Sequence, residues 1–328
     1  MKTVFRSAII LFFLIGGITA QTNPVAQPGG RNKPGFVYDS ARKTFVLFGG
    51  FGKRGEGIRG DTWEWNGKTW KQAASDGPEK RGGMGMTYDS DRRKVVLFGG
   101  TGETTAFGDT WEWDGKAWSK LAAAGPSARV VPQMVYDARR KKTVLFGGFD
   151  NATRQPLGDM WEWDGSNWSE VKSTGPIARF HHFMVYDAGR GKIVLFGGMG
   201  AKTDAAQTYG DRLLGDTWES DGRQWTKVSD AGPQKRDHHA MSYDSKREKV
   251  VLFGGSKGEF LGDTWEWDGK AWTEVKSTGP TARGGVPSMA FDSSRKLVTL
   301  FGGWDAVGMQ SDIWEWNGKV WKQVDQTK

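Results

Sequence analysis

Residues 87–118 read TYDSDRRKVVLFGGTGETTAFGDTWEWDGKAW, and close variants of this stretch occur six times along the chain. Its centre, Leu-Phe-Gly-Gly, ends at Gly50, Gly100, Gly148, Gly198, Gly255 and Gly303, a period of 48 to 57 residues. An aromatic–Asp pair precedes each copy: Tyr38-Asp39, Tyr88-Asp89, Tyr136-Asp137, Tyr186-Asp187, Tyr243-Asp244 and Phe291-Asp292. A Trp-Glu-Trp segment follows at Trp63, Trp111, Trp161, Trp265 and Trp314, while the fourth copy reads Trp218-Glu219-Ser220. A further Trp closes every copy, at Trp70, Trp118, Trp168, Trp225, Trp272 and Trp321. Self-similarity at such a period marks a repeat architecture.

Each repeat reads as four β-strands. The first surrounds the aromatic–Asp pair. The second, Val-Val-Leu-Phe or its equivalent, is an unbroken run of β-branched and aromatic residues, as a strand buried on both faces requires. The third, Asp-Thr-Trp-Glu-Trp, alternates with period two, and the fourth starts at the last Trp. Between these two stand Asn66-Gly67, Asp114-Gly115, Asp164-Gly165, Asp221-Gly222, Asp268-Gly269 and Asn317-Gly318, dipeptides that favour positive φ and close two-residue hairpins. Sheets of this kind arrayed radially cover both faces of the apolar strands and leave only short edges. The expected fold is an all-β six-bladed β-propeller of four-stranded antiparallel blades over 28–325, with blades near 28–76, 77–124, 125–174, 175–231, 232–278 and 279–325. The Gly-Gly doublet after an apolar strand and the spaced aromatic pair resemble the kelch-repeat β-propeller family. The short interval from Trp65 to Trp70 is similar to its secreted, bacterial-type members. No strand is left over to complete a blade from the other terminus. Residues 21–27, a short linker, are the segment free to pair with the last blade.

Of the 18 Trp, all but Trp304 occupy repeat positions. Burying one removes about 150–250 Å² from water, so these are core residues first. Ser220 replaces one of them, which predicts a weaker fourth blade or a neighbour that fills the gap. The 328 residues include no Cys and four His. That excludes disulfides, thiolate metal sites and a Cys nucleophile. Net charge is +8, from 46 basic and 38 acidic residues, interspersed rather than blocked, which gives no footprint for nucleic acid. No phosphate-loop or dinucleotide fingerprint is present. Met1 to Ala20 reads as a secretory signal peptide, with Lys2 and Arg6, an apolar run from Ala8 to Ile15 and cleavage expected after Ala20. The run is shorter than the roughly 20 residues that span a bilayer. The expected location is secreted or periplasmic, without membrane insertion of the mature chain.

Two charged sets recur in register. Asp61, Asp109, Asp159, Asp216, Asp263 and Asp312 begin third strands, and a Pro-x-x-Arg places Arg31, Arg81, Arg129, Arg179, Arg236 and Arg283 before first strands. A structural ring of bidentate Asp–Arg pairs is the expectation, and a cationic ring that captures an anion is the alternative. The second-to-third loops (51–59, 101–107, 149–157, 199–214, 256–261 and 304–310) share one end of the propeller with the fourth-to-first connections. They vary, and binding usually lives on variable loops of a rigid scaffold. Ligand-binding candidates there are Phe51, Phe149, Met199 and Trp304, directly after doublets, and Tyr209 in the longest loop. Arg179, Arg236, His182 and His239, near the central channel, complete the set. Trp304 is the leading stacking candidate. His181-His182 and His238-His239 sit on neighbouring blades. In kelch relatives a His three after the Arg is common, so His182 and His239 read as structural, and His181 and His238 are extra. Two imidazoles from adjacent blades can hold a divalent metal, but no carboxylate is legible beside them, and no metal site or cofactor is assigned.

Galactose oxidase, which resembles this fold, uses a copper site with a Tyr–Cys crosslink, impossible in a chain without Cys. Periplasmic sialic-acid mutarotases resemble the chain in size, blade number and export. That resemblance implies a placed acid or base and an Arg for the substrate carboxylate, for which Asp211, Arg212, His181 and His238 are candidates. No catalytic constellation stands out. The first expectation is therefore a non-catalytic exported module that binds a glycan or a protein through the variable loops. The second is a sugar mutarotase- or epimerase-like enzyme.

Overall fold

The structure, a computed structural model, describes residues 26–121, 124–285 and 288–326; the stretch read as a signal peptide and most of the expected 21–27 linker lie outside them. Six four-stranded antiparallel sheets follow one another along the chain. Blade 1 consists of Gly35–Asp39, Thr44–Phe51, Ile58–Trp65 and Trp70–Ala74, and blade 2 of Gly85–Asp89, Lys94–Phe98, Thr110–Trp113 and Trp118–Leu121. Blade 3 holds Gln133–Asp137, Lys142–Phe146, Met160–Trp163 and Trp168–Val171, and blade 4 Phe183–Asp187, Lys192–Phe196, Thr217–Ser220 and Trp225–Ser229. Blade 5 is built from Ala240–Asp244, Lys249–Ser256, Phe260–Trp267 and Trp272–Val275, and blade 6 from Ser288–Asp292, Leu297–Phe301, Ile313–Trp316 and Trp321–Val324. The first strand of each blade lies beside those of the blades before and after it, and the first strand of blade 1 meets that of blade 6. The molecule is a six-bladed β-propeller with first strands around the central channel. Among the described residues no helix is long and apolar enough to cross a membrane.

The second strands carry the core. Val95, Val96, Leu97 and Phe98 are fully buried because the strand is hydrogen-bonded on both edges, with Phe98 opposite both Gly85 and Thr110, and faces neighbouring blades on both sides. The last Trp of each copy ties its blade to the one before. Trp118 Nε1 donates to Thr62 Oγ1 at 2.8 Å, and Trp168, Trp272 and Trp321 donate to Thr110, Thr217 and Thr264 at 2.9 Å. These threonines are the Thr of Asp-Thr-Trp. Blade 3 has Met160 there, and the buried Trp225 Nε1 has no partner among the described residues. Blade 6 has Ile313, and Trp70 of blade 1 uses Gln326 Oε1 instead, at 3.0 Å.

That substitution falls at the seam of the ring. Gln27 Nε2 donates to Gln326 O at 3.1 Å, the Tyr38 hydroxyl to Ser294 Oγ at 3.0 Å, and the Trp70 ring stands edge-on to Phe301 at 5.3 Å. Among the described residues the six four-stranded blades are closed by these contacts, and no strand is exchanged. At Ser220 the hydroxyl accepts a bond from Gly222 N at 3.0 Å. The Arg140 guanidinium of blade 3 lies closer to Gly222 than its counterparts lie to the equivalent hairpin glycines.

Thr264→Val keeps the shape of the side chain but strands the buried Trp321 indole N–H. The expected cost is about 1–3 kcal/mol, read by denaturant unfolding. Met160→Leu, where no Trp N–H bond exists and only the long contact from Ser173 Oγ to Met160 Sδ at 3.9 Å is lost, is expected to cost less than about 1.5 kcal/mol. Equal costs would contradict the role given to the Trp–Thr bond.

Candidate functional site

The six repeated arginines set the geometry of one channel mouth. All are buried. Arg179 Nη1 donates to Gly197 O at 3.0 Å and to Asp216 Oδ1 at 2.7 Å, and its Nη2 donates to Asp216 Oδ2 at 2.9 Å. Arg236 does the same with Gly254 and Asp263. The pairs tie the connection that enters each blade to the head of that blade's third strand and leave no cationic ring open to an anion, so Arg179 and Arg236 stand behind the surface. Burial would raise the carboxyls of Asp61, Asp109, Asp159, Asp216 and Asp263, but the hydrogen bonds and charge of their Arg partners outweigh it and hold all five below the ordinary value. A second charged set was not legible in the sequence. The Asp of each aromatic–Asp pair takes the Nε of an Arg three residues on, as in Asp39 and Arg42 at 2.7 Å, and that Arg also binds the Glu of the third strand, as in Glu64. The same triad recurs in every blade.

Two residues after each buried Arg the backbone turns left-handed. The six positions are Lys33 (φ 52°), Gly83 (65°), Val131 (49°), His181 (54°), His238 (55°) and Gly285 (72°). They form a rim linked by Gly83 N to Lys33 O at 2.9 Å, Val131 N to Gly83 O at 2.6 Å and His238 N to His181 O at 3.3 Å. The residue between Arg and rim is bridged to the one after the doublet: Asn32 to Phe51, Gly82 to Thr101, Val130 to Phe149, Phe180 to Met199, Asp237 to Ser256 and Gly284 to Trp304. The doublet must be glycine for this approach, since a Cβ on Gly197 or Gly198 would lie 2.8 Å from the carbonyl oxygen of Arg236 or Phe180.

The rim side chains of blades 1, 4 and 5 converge. Lys33 Nζ lies 2.8 Å from His181 Nε2, and the His181 and His238 rings are 3.6 Å apart between centroids. Asp237 corrects the expectation that no carboxylate accompanies the imidazoles. Its Oδ1 is 2.9 Å from His238 Nδ1 and its Oδ2 is 3.7 Å from His181 Nδ1. The left-handed turn at His238 folds the imidazole back over the residue that precedes it. Burial would raise the Asp237 carboxyl, but His181, His238 and the Tyr209 hydroxyl, which donates to Oδ1, hold it well below the usual range. Burial pushes Lys33 down to about 8, against the attraction of Asp237. Burial, with His238 and Lys33 adding to it, keeps His181 neutral at far below the ordinary histidine value.

The other candidates divide. Tyr209 reaches the cluster from the longest loop. Asp211 accepts from Thr208 N and Oγ1 at 2.9 and 2.7 Å, and Arg212 is hydrogen-bonded to Gly200 O while its guanidinium stands 5.9 Å from the Phe180 ring. Met199 is buried. His182 and His239 are buried edge-on to Phe146 and Phe196 at 5.6 and 5.5 Å, and burial lowers His239 to about 3. Trp304 is 44 % exposed at the rim, near the exposed Phe260. Lys33 and Phe180 were missed by sequence reading. Lys33 is 148 residues from His181, and only closure of the ring joins them.

A cavity of about 180 Å³ opens beside the cluster, walled by Phe51, Phe149, Phe180, Val130 and Val131, with Lys33 and His181 at its polar end. Deeper in the channel the space shrinks to about 70 Å³ between Met86, Met134, Phe183 and Met289. The opposite mouth holds about 350 Å³ ringed by Tyr38, Tyr88, Tyr136, Tyr186, Tyr243 and Phe291. That larger space is ringed by the aromatic that every blade repeats, whereas the 180 Å³ cavity is lined by residues that differ from blade to blade. The smaller one is the candidate site. No protein-family model and no curated protein matches the chain, so the functional reading rests on this geometry.

The buried groups fix a pH response. An unfolded His takes a proton below about 6.5, but folded His239 stays neutral to about 3, so the unfolded chain binds more protons in that window and stability falls as pH drops through it. The lowered aspartates add a further loss as pH falls below 3.8, where the unfolded chain protonates first. The melting temperature is expected to decline steadily from near-neutral pH and more steeply in strong acid. A melting temperature that holds level from about pH 7 to about pH 4 would contradict neutral burial of the imidazoles.

Proposed function

We propose that this protein is an exported kelch-type propeller that acts as a binding module, taking an anionic, ring-bearing group of a glycan or protein at the variable-loop mouth. The observation that carries this reading is the rim itself. Four of its six left-handed positions are Lys33, Val131, His181 and His238 where glycine would sit without strain, and a β-branched residue there is an outlier. Backbone strain of this kind collects at ligand-binding sites. The adjoining cavity of about 180 Å³ is smaller than the roughly 300–1,000 Å³ that holds a whole small-molecule ligand, which suits one sugar ring or one side chain of a larger partner. Its aromatic walls offer stacking faces, and the Lys33 ammonium supplies one cationic end. Trp304 and Phe260 extend the contact along the rim of blades 5 and 6.

The test is a glycan array with acidic and neutral sugars, alongside a pull-down from envelope extract, with calorimetry on the hits. Lys33→Met is expected to weaken binding by about tenfold to a hundredfold, the worth of a charge-assisted hydrogen bond, and Phe180→Ala to weaken it without changing the fold. Ligands that bind the Lys33→Met and Phe180→Ala proteins as well as the parent would place the site elsewhere.

A sugar mutarotase-like activity is the second reading. The contact between Asp237 and His238 at 2.9 Å favours it, because a carboxylate that orients an imidazole is the usual setting of a general base. Anomer exchange of sialic acid followed by NMR is expected to slow with His238→Ala if this reading holds. No acceleration by the parent protein removes it.

A further inference from the structure

We propose that His181, Asp237 and His238 form a site for one divalent transition-metal ion where blades 4 and 5 meet. Each residue offers a ligand atom, and the three atoms lie within 4.8 Å of one another. The residues come from two blades whose chains are fixed independently of any ion. His181 and His238 are joined by the 3.3 Å bond between His238 N and His181 O, and Asp237 exchanges backbone bonds with Ser256 at 3.0 and 2.8 Å. The donor set is therefore held in place before any ligand arrives.

The carboxylate supplies the second observation. Asp237 is fully buried, yet its Oδ2 has no hydrogen-bond partner among the described residues, and neither has His181 Nδ1, 3.7 Å away. A buried carboxylate oxygen without a donor calls for an explanation, and a cation held between the carboxylate and the imidazoles satisfies both atoms. The other oxygen, Oδ1, accepts from the Tyr209 hydroxyl, the kind of outer contact that orients a ligating carboxylate. Two imidazoles and one carboxylate without a thiolate suit zinc, copper, nickel, cobalt or ferrous iron, and not the hard, all-oxygen preference of calcium or magnesium. The carboxylate cancels part of the ion's charge. Lys33, 2.8 Å from His181 Nε2, opposes the ion, and this gives the test a sign.

The site shares His181 with the wall of the proposed ligand pocket, and Lys33 acts on the two with opposite sign, so one variant separates them. Untagged protein, stripped of metal by chelator dialysis, is titrated with ZnCl₂ by calorimetry and with CoCl₂ by visible absorption. One equivalent is expected to bind saturably and to raise the melting temperature. His181→Gln and His238→Gln are each expected to weaken uptake about tenfold or more, whereas Lys33→Met strengthens it while weakening the anionic ligand. In the parent protein, the His181 and His238 imidazole ¹⁵N resonances are expected to shift on zinc addition, a readout that needs no variant to fold. Absence of one-equivalent uptake, imidazole resonances that do not move, or undiminished uptake in a folded His181→Gln/His238→Gln protein would each overturn the proposal.

Discussion

A buried guanidinium forked onto a carboxylate, written once per blade, is the contact on which the working end of this propeller depends. Two parallel bonds fix both the distance and the plane of the pair. A third bond, from the same Arg to the carbonyl of the first doublet glycine, brings the incoming chain against the second strand. The next residue can then bridge to the one after the doublet, and the one after that turns left-handed over the channel. Removing one partner of such a pair leaves an uncompensated buried charge, at a cost of about 3–5 kcal/mol. The six pairs are thus parts of the frame, and the residues two positions downstream are what the frame presents.

The division between frame and payload runs through the whole chain. Trp, Thr, Asp, Arg, Glu and Gly at repeat positions pack blade on blade and supply most of the bonds between them. Departures are met locally: the Ser220 hydroxyl caps the hairpin at Gly222 N, and Gln326 replaces the threonine missing from blade 6. Rim positions obey no repeat. They hold Lys, Gly, Val, His, His and Gly in chain order, which gives one half of the mouth polar, titratable groups and leaves the glycine positions bare. A regular ring has in this way acquired an asymmetric mouth.

Most of the frame was legible because it is periodic. Leu-Phe-Gly-Gly and the Asn-Gly or Asp-Gly hairpins located the strands, and the shared register of Asp and Arg announced their pairing. The Asp–Arg–Glu triads were not legible, because Arg42 and Glu64 meet only once the turn after the first strand is laid against the third. Asp237 was overlooked for a related reason. It precedes His238 directly, and in an extended strand adjacent side chains point apart; the positive φ at His238 reverses that rule. Lys33 depends on a contact between the first blade and the fourth, and the closure at Trp70 depends on Gln27 and Gln326, which lie outside the repeat.

Hydrogen exchange in an Asp216→Asn variant reads the central claim directly. With the Arg179 pair broken, the amides of Gly148, Phe180 and Met199, which meet at the blade 4 mouth, are expected to exchange faster, while Tyr186 and Ile193 at the far end of the same blade keep their protection. Exchange that quickens equally along blade 4, or that does not change at the mouth, would contradict an account in which the buried pair holds the rim.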